Sequence, residues 1–278
     1  MYDLDDNCPY VHNSLQFDVD NNGRGDVCEY DYDEDGVDNR IDSCPANSRI
    51  WRTNFKDSDI VHIGRFKKGL KFEISDEGRD VYFQGRSIVS MLVQKSAYEG
   101  FDFTGVMHVR QRFDDDMIGL VFGYQNPRKF YLVSWKRRKQ PFWLAKREGV
   151  KIIGKAGLEL KVVDSATGRS KKMRNALWSS FDYPGQTKVL WRDSKEVGWQ
   201  PGQSYYFVLQ HRPLSGEIRV KVMHAYHDVI ADSGVIRDTS ILGGRVGLYT
   251  FSQDRVVWSR LNIQCNDTSF RSMNDVNA

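Results

Sequence analysis

Between Asp18 and Asp42 the chain spaces its carboxylates and amides in a way that fits ligands gathered around a hard cation. Asp18, Asp20, Asn22, Gly23 and Glu29 satisfy the pattern D-x-[DN]-x-[DN]-G-x5-E. Asp31, Asp33, Asp35, Gly36 and Asp42 satisfy it again, with Asp in the last place. Oxygen donors at loop positions one, three, five and twelve surround one calcium ion, and glycine at six makes the sharp turn. Arg24 and Val37, at position seven, offer backbone carbonyls; Asp26, at position nine of the first loop, adds a carboxylate. An EF-hand would need a helix on each side of its loop. Here the first loop ends at Glu29 and the second begins at Asp31, with only Tyr30 between them, so no helix fits. The spacing predicts tandem calcium loops laid end to end. The competing reading is an acidic disordered tract. Two in-register copies with glycine in the same slot weigh against it.

The charge balance is divided between two regions. Residues 1–48 hold 11 Asp, two Glu and two Arg, a net −11. The remaining 38 bases and 24 acids give +14, and the whole chain is +3. The acidic part needs cations to be compact, and the basic part favours anionic partners by long-range electrostatics. Cys8, Cys28, Cys44 and Cys265 make an even count, three of them in the acidic tract, which points to disulfides and an oxidising compartment. Zinc has little support without a C-x-x-C or a neighbouring His. Cys8 and Cys28 bracket the first loop and are expected to pair, with Cys44 joined to Cys265 across the second region. Asn266-Asp267-Thr268 is a glycosylation sequon, in agreement with secretion. No signal peptide is visible and no apolar run reaches transmembrane length. Asp3, Asp5 and Asp6, before Cys8, read as the tail of an earlier loop, so the chain is expected to be the C-terminal piece of something longer or an incomplete gene product.

After Cys44-Pro45 the pattern changes to short alternating runs separated by turn residues. Gly105–Phe113 places Met107, Val109 and Phe113 on one side. Ile118–Tyr124 is mostly apolar, and 130–135, 158–163, 218–223, 246–251 and 256–263 continue the series. No helical stripe exceeds two turns. Many short strands at regular spacing predict an all-β sandwich or jelly roll. The seven Trp are expected to serve core packing in the main.

These residues resemble the C-terminal signature region of the thrombospondins. Asp102-Phe103-Thr104-Gly105 is similar to the family's DFxG. Asp114-Asp115-Asp116 with Gly119 and Phe122-Gly123-Tyr124-Gln125 is similar to its DDDxxGxxFGYQ. Phe130–Lys136 reads FYLVSWK against the family's FYVVMWK. Arg174–Trp178, His211-Arg212-Pro213 and Gly243-Gly244-Arg245 complete a match that runs to about Asp267. The resemblance implies type 3 calcium repeats, truncated at their start, over 1–48, a lectin-like jelly-roll sandwich over 49–267, and a polar tail over 268–278. It also implies a further calcium at Asp114, Asp115 and Asp116, where the alternative is a solvated turn. Leu132-Val133-Ser134 stand where the family carries Val-Val-Met in a receptor-contacting segment, so that contact does not carry over.

Arg24-Gly25-Asp26 is an integrin-recognition tripeptide, which the family also carries in its last repeats. The basic clusters Arg65-Lys67-Lys68-Lys71, Lys136–Lys139 and Lys171-Lys172-Arg174 suit heparan sulphate. The plainer reading is solvated strand edges that block aggregation. Nucleic acid does not fit a secretory setting. The six His show no H-E-x-x-H, no G-x-S-x-G is present, and no acid pair alternates inside a strand. The expectation is a secreted, calcium-binding adhesive matrix glycoprotein. Its calcium is structural; its partners are cell-surface receptors such as integrins, matrix proteins and heparan sulphate. It has no transmembrane segment and would oligomerise only through modules outside this chain. The alternatives are a carbohydrate-binding lectin module and a concanavalin-like glycoside hydrolase.

Overall fold

A computed structural model of the chain describes residues 6–18, 21–66, 70–85, 87–224 and 228–267. Up to Asp57 the backbone is irregular apart from one 3-10 turn at Asp26–Cys28. Beyond it, strands dominate. In chain order they are β1 (Ser58–Phe66), β2 (Lys71–Ser75), β3 (Asp80–Gln84), β4 (Ser87–Tyr98), β5 (Phe101–Val109), β6 (Met117–Asn126), β7 (Lys129–Lys136), β8 (Gln140–Pro141) and β9 (Ile153–Gly154). They continue with β10 (Gly157–Asp164), β11 (Thr187–Arg192), β12 (Ser204–Arg212), β13 (Glu217–His224), β14 (Asp228–Asp232), β15 (Ile236–Arg237), β16 (Gly244–Phe251) and β17 (Val256–Cys265). Helix α1 (Trp143–Arg147) lies between β8 and β9, and α2 (Lys171–Trp178) between β10 and β11.

Two antiparallel sheets face each other. One runs β1-β4-β16-β6-β7-β10-β11; the other runs β14-β13-β12-β5-β17-β3-β2, with β15 added on β13. Their inner faces meet in one core that includes Phe101, Phe103, Phe122, Trp135, Phe207 and Trp258. The alternation predicted from sequence is plain in β5, where every second residue from Phe101 to Val109 is buried. It disappears in β6, β7 and β10, because both faces of these strands are covered. Phe142, Ala145, Met173, Leu177 and Trp178, from the α1 and α2 segments, form a second core against the outer face of the first sheet. That double coverage is the physical reason for the unbroken apolar run at 118–124.

Two expectations need correction here. Phe113 does not continue the face of Met107 and Val109. Strand β5 stops at Val109, and Phe113 is 95% exposed in the following loop. The basic clusters are not uniformly solvated either. Lys136 is buried, with its ammonium 4.1 Å from the Trp178 ring, and Arg174 is buried against Glu148 and Asn175. Both turn inward because the outer face of the first sheet is a covered interior, where a long side chain reaches fixed oxygen partners. Of the Trp residues, 135, 178, 199 and 258 are fully buried, whereas Trp51 and Trp143 are exposed.

The acidic tract is joined to the sandwich near the ends of β17 and β3. Cys44 is disulfide-bonded to Cys265, Cys265 N donates to Ser43 O at 2.7 Å, and Phe55 N donates to Gly78 O at 3.0 Å.

Candidate functional site

The two acidic loops adopt matching backbones. Gly23 and Gly36, at position six, have φ of +90° and +87°, and Asn21 and Glu34, at position four, have φ of +60° and +57°. L side chains rarely adopt such values, which is why glycine holds the sixth place. In the first loop Asp18 Oδ2 accepts from Gly23 N at 2.9 Å; in the second Asp31 Oδ2 accepts from Gly36 N at 2.8 Å. Asn22 Oδ1 accepts from Arg24 N, and Asp35 Oδ1 accepts from Val37 N, at 2.7 and 2.8 Å. These backbone donors turn each loop, and in the first loop Asp18 Oδ1 accepts as well, from Asn22 N at 3.2 Å.

Five carboxylate oxygens, four in the second loop and one at the end of the first, have no protein partner among the described residues. Glu29 Oε2, Asp31 Oδ1, Asp33 Oδ2, Asp35 Oδ2 and Asp42 Oδ2 are shielded from solvent and accept no hydrogen bond. Carboxylate oxygens of Asp31, Asp33 and Asp35 lie within 4.8 Å of one another. Burial, with Asp35 adding repulsion, holds Asp33 and Asp42 above the ordinary carboxylate value. Buried, unpaired like charges of this kind are costly unless a cation joins them. An oxygen-only donor set of this composition fits calcium.

Not every predicted ligand is brought to these loops. Asp6 Oδ1 already accepts from Cys8 N and Gln16 Nε2, each at 3.0 Å, and those bonds hold its carboxyl below the usual range. Asp3 and Asp20 lie outside the described residues. One important residue was not singled out from sequence. Asn39 N donates to Tyr30 O at 2.7 Å, its Nδ2 donates to Glu29 O at 3.3 Å, and its Oδ1 accepts from Tyr32 N at 3.0 Å. Asn39 thus staples the end of the first loop to the start of the second. It stands at position nine of the second loop, the place Asp26 holds in the first.

The Arg24-Gly25-Asp26 tripeptide is built into the first loop. Arg24 is exposed, Gly25 buried and Asp26 half-buried. Gly25 N donates to Asn7 O and Asp26 N to Phe17 O, both at 2.9 Å. Cys8 and Cys28 are disulfide-bonded beside it, and a Cβ at Gly25 would lie 2.6 Å from Cys8 Sγ.

On the sandwich, carboxylate oxygens of Asp114, Asp115 and Asp116 also lie within 4.8 Å of one another. Lys136 Nζ sits 3.7 Å from Asp116 Oδ1 and donates to Asp115 O at 3.1 Å, and Gln140 Nε2 donates to Asp116 Oδ1 at 2.8 Å. Burial pushes Asp116 upward and Lys136 downward, while their mutual attraction opposes both shifts. One ammonium cannot balance three carboxylates. Asn266 is half-buried, and its Nδ2 donates at 2.8 Å to Asp102 Oδ2, whose other oxygen is held by the buried Arg212.

The acidic loops match the family model of the thrombospondin type 3 repeat over residues 17–52. The sandwich matches that of the thrombospondin C-terminal region over residues 67–267. The chain belongs to the thrombospondin family. Human cartilage oligomeric matrix protein is 39% identical over 228 residues, 81% of this chain and 30% of that protein. Human thrombospondin-3 is 40% identical over 231 residues, 82% of this chain and 24% of that protein. The chain therefore spans less than a third of these thrombospondin relatives. Among solved structures, the carbohydrate binding module CBM66 from Bacillus subtilis is similar at 10% identity and a TM-score of 0.45, over 70% of this chain and 92% of that one. Those values are too low to bear on any ligand.

Proposed function

We propose that this chain is the calcium-dependent, adhesive end of a secreted extracellular-matrix protein, a binding scaffold and not an enzyme. The observation that carries this reading is the set of solvent-shielded, unpartnered carboxylate oxygens of Glu29, Asp31, Asp33, Asp35 and Asp42. In the second loop Asp31, Asp33, Asp35 and Asp42, with the carbonyl of Val37, would hold one ion. In the first, Asp18, Asp20, Asn22 and Glu29 would do so, with the carbonyl of Arg24 and with Asp26. Calcium supplies the positive charge that lets a tract with little apolar core keep a shape. A further ion at Asp114, Asp115 and Asp116 is supported by the charge that Lys136 leaves unbalanced.

The extracellular setting is supported by the two disulfides, by the Asn266 sequon and by the matrix name of the relative described above. Cell-surface receptors, integrins among them, and matrix proteins are the corresponding partners. Calcium titration of the purified chain tests the reading, with circular dichroism and calorimetry as readouts. Saturable binding is expected, with affinity falling about tenfold or more in Asp33→Asn and Asp35→Asn for loss of a charged ligand. Binding unchanged by both substitutions would overturn the assignment.

A further inference from the structure

The sequence places basic residues in separate short clusters, and the fold redistributes them. Residues 136–156, the connection from β7 to β10, hold eight Lys and Arg and one acid, Glu148. Residues 165–178, which lead into and form α2, hold four and no acid. Together they account for most of the sandwich's positive excess. Lys136 and Arg174 are buried and drop out of the surface set. Lys146, Arg147, Lys151, Lys171 and Lys172 are exposed.

These five belong to one platform. Strands β8 and β9 pair, Gln140 with Gly154 and Pro141 with Ile153, and α1 forms the turn of that hairpin. Glu148, just past α1, then reaches α2: it lies 3.2 Å from Lys171 Nζ and 2.8 Å from the Arg174 guanidinium. The single acid of both segments is therefore ion-paired to α2, and Lys146, Arg147, Lys151 and Lys172 make no ion pair among the described residues. Trp143 stands 53% exposed on the same helix, with the Arg147 guanidinium 4.9 Å from its ring.

We infer that the platform formed by the β8–α1–β9 hairpin and the start of α2 binds a sulphated polysaccharide of the cell surface or matrix. A linear polyanion fits a surface where several exposed cations outnumber one carboxylate that is already ion-paired, and releases counterions on binding. An exposed indole beside them offers a flat apolar face to a sugar ring. A bilayer is the weaker fit. Helix α1 has five residues and turns Ala145 into the core, and the exposed Trp143 and Val150 are too few to make an apolar face that enters lipid. The choice of a polysaccharide over nucleic acid rests on the extracellular reading proposed above.

The test uses the calcium-loaded full chain and size-defined heparin fragments at rising sodium chloride. Lys146→Gln with Arg147→Gln, and separately Lys171→Gln with Lys172→Gln, should each lower affinity about tenfold or more and reduce the salt slope by about two. Lys188→Gln with Lys221→Gln, away from the platform, should leave both unchanged. If a double variant melts early, Lys172→Gln alone reads the same surface, because that exposed side chain makes no ion pair among the described residues. Equal loss in the control pair, or no loss in the platform pairs, would overturn the site. Binding to phosphatidylserine vesicles without heparin binding would overturn the ligand class in favour of a membrane. Hyaluronan bound as well as heparin would overturn the requirement for sulphate. Calcium titration of the same preparation separates the two readings: intact calcium binding without heparin binding sinks only the inference drawn here, and the converse sinks only the calcium-scaffold reading.

Discussion

His211 is the last inward residue of an alternating strand, fully enclosed by Phe101, Phe122 and Tyr131 with ring centroids 5.2–5.8 Å away. Neither ring nitrogen has a hydrogen-bond partner. Burial, with the neighbouring Arg212 charge, depresses its value from 6.5 to about 4, so the ring is neutral in the fold. The unfolded chain binds a proton first as pH falls. The contribution of this residue is therefore complete above pH 6.5 and is lost between 6.5 and about 4, by roughly 3 kcal/mol at most. Replacing it with Phe should flatten the fall in stability over that interval, measured by urea unfolding at stepped pH; an unchanged slope would refute the assignment. Gly25 carries the second residue-scale expectation. Its burial against Asn7 and the Cys8–Cys28 disulfide keeps Arg24-Gly25-Asp26 from projecting as a free loop. Cell attachment inhibitable by a competing Arg-Gly-Asp peptide should be weak on the calcium-loaded chain, stronger after reduction, and absent in Asp26→Ala even when reduced. Strong inhibitable attachment to the loaded, unreduced chain would show that the tripeptide is open.

At the scale of elements, the acidic loops and the sandwich are stabilised by different means. The loops bury almost no apolar surface; Tyr10, Leu15, Phe17, Val27, Tyr30 and Ile41 are all exposed. Their shape rests on turn hydrogen bonds, the Asn39 staple and the Cys8–Cys28 disulfide, and on the calcium proposed above. With EDTA, residues 1–44 should become protease-sensitive while the strands largely survive, read by limited proteolysis and mass spectrometry. Equal resistance with and without calcium would contradict this. By contrast, α2 is anchored inside the covered face of the sheet. The buried Lys161 Nζ donates to Leu177 O and Ser179 O at the helix C-terminus, at 3.3 and 2.6 Å, and lies 2.9 Å from Glu159. A lysine there satisfies carbonyls that the helix end leaves without partners.

Across the whole molecule, the Cys44–Cys265 bond joins the end of the acidic tract to the last strand of the sandwich over 221 residues of chain. Closing so long a loop restricts the unfolded chain by roughly 5 to 5.5 kcal/mol in the chain-entropy account. Replacing both cysteines with Ala should lower the stability of the sandwich by up to about that amount, measured by denaturant unfolding. It should leave the two-sheet core folded, because Cys265 N still bonds Ser43 O and Ile263 N bonds Thr53 Oγ1. No measurable loss would mean that the backbone bonds alone hold the seam.

The sequence by itself determined the features written in local spacing. The repeat of donors and glycine made the two candidate loops legible, because positions one to twelve of such a loop are consecutive residues. The period-two runs made β5 and β13 legible, because a strand buried on one face must alternate. The tripeptide was legible as a motif, but its engagement was decided by Asn7, Phe17 and Cys8, seventeen or eighteen residues from Gly25 in the first and last cases. The inward turn of Lys136 and Arg174, the departure of Phe113 from its strand, and the reach of Glu148 from the end of α1 to Lys171 and Arg174 were not legible. Each depends on what packs over the outer face of the first sheet or on where β5 ends, and local spacing carries neither. A charge run specifies the residues available to a surface; only packing against distant segments decides which of them reach water.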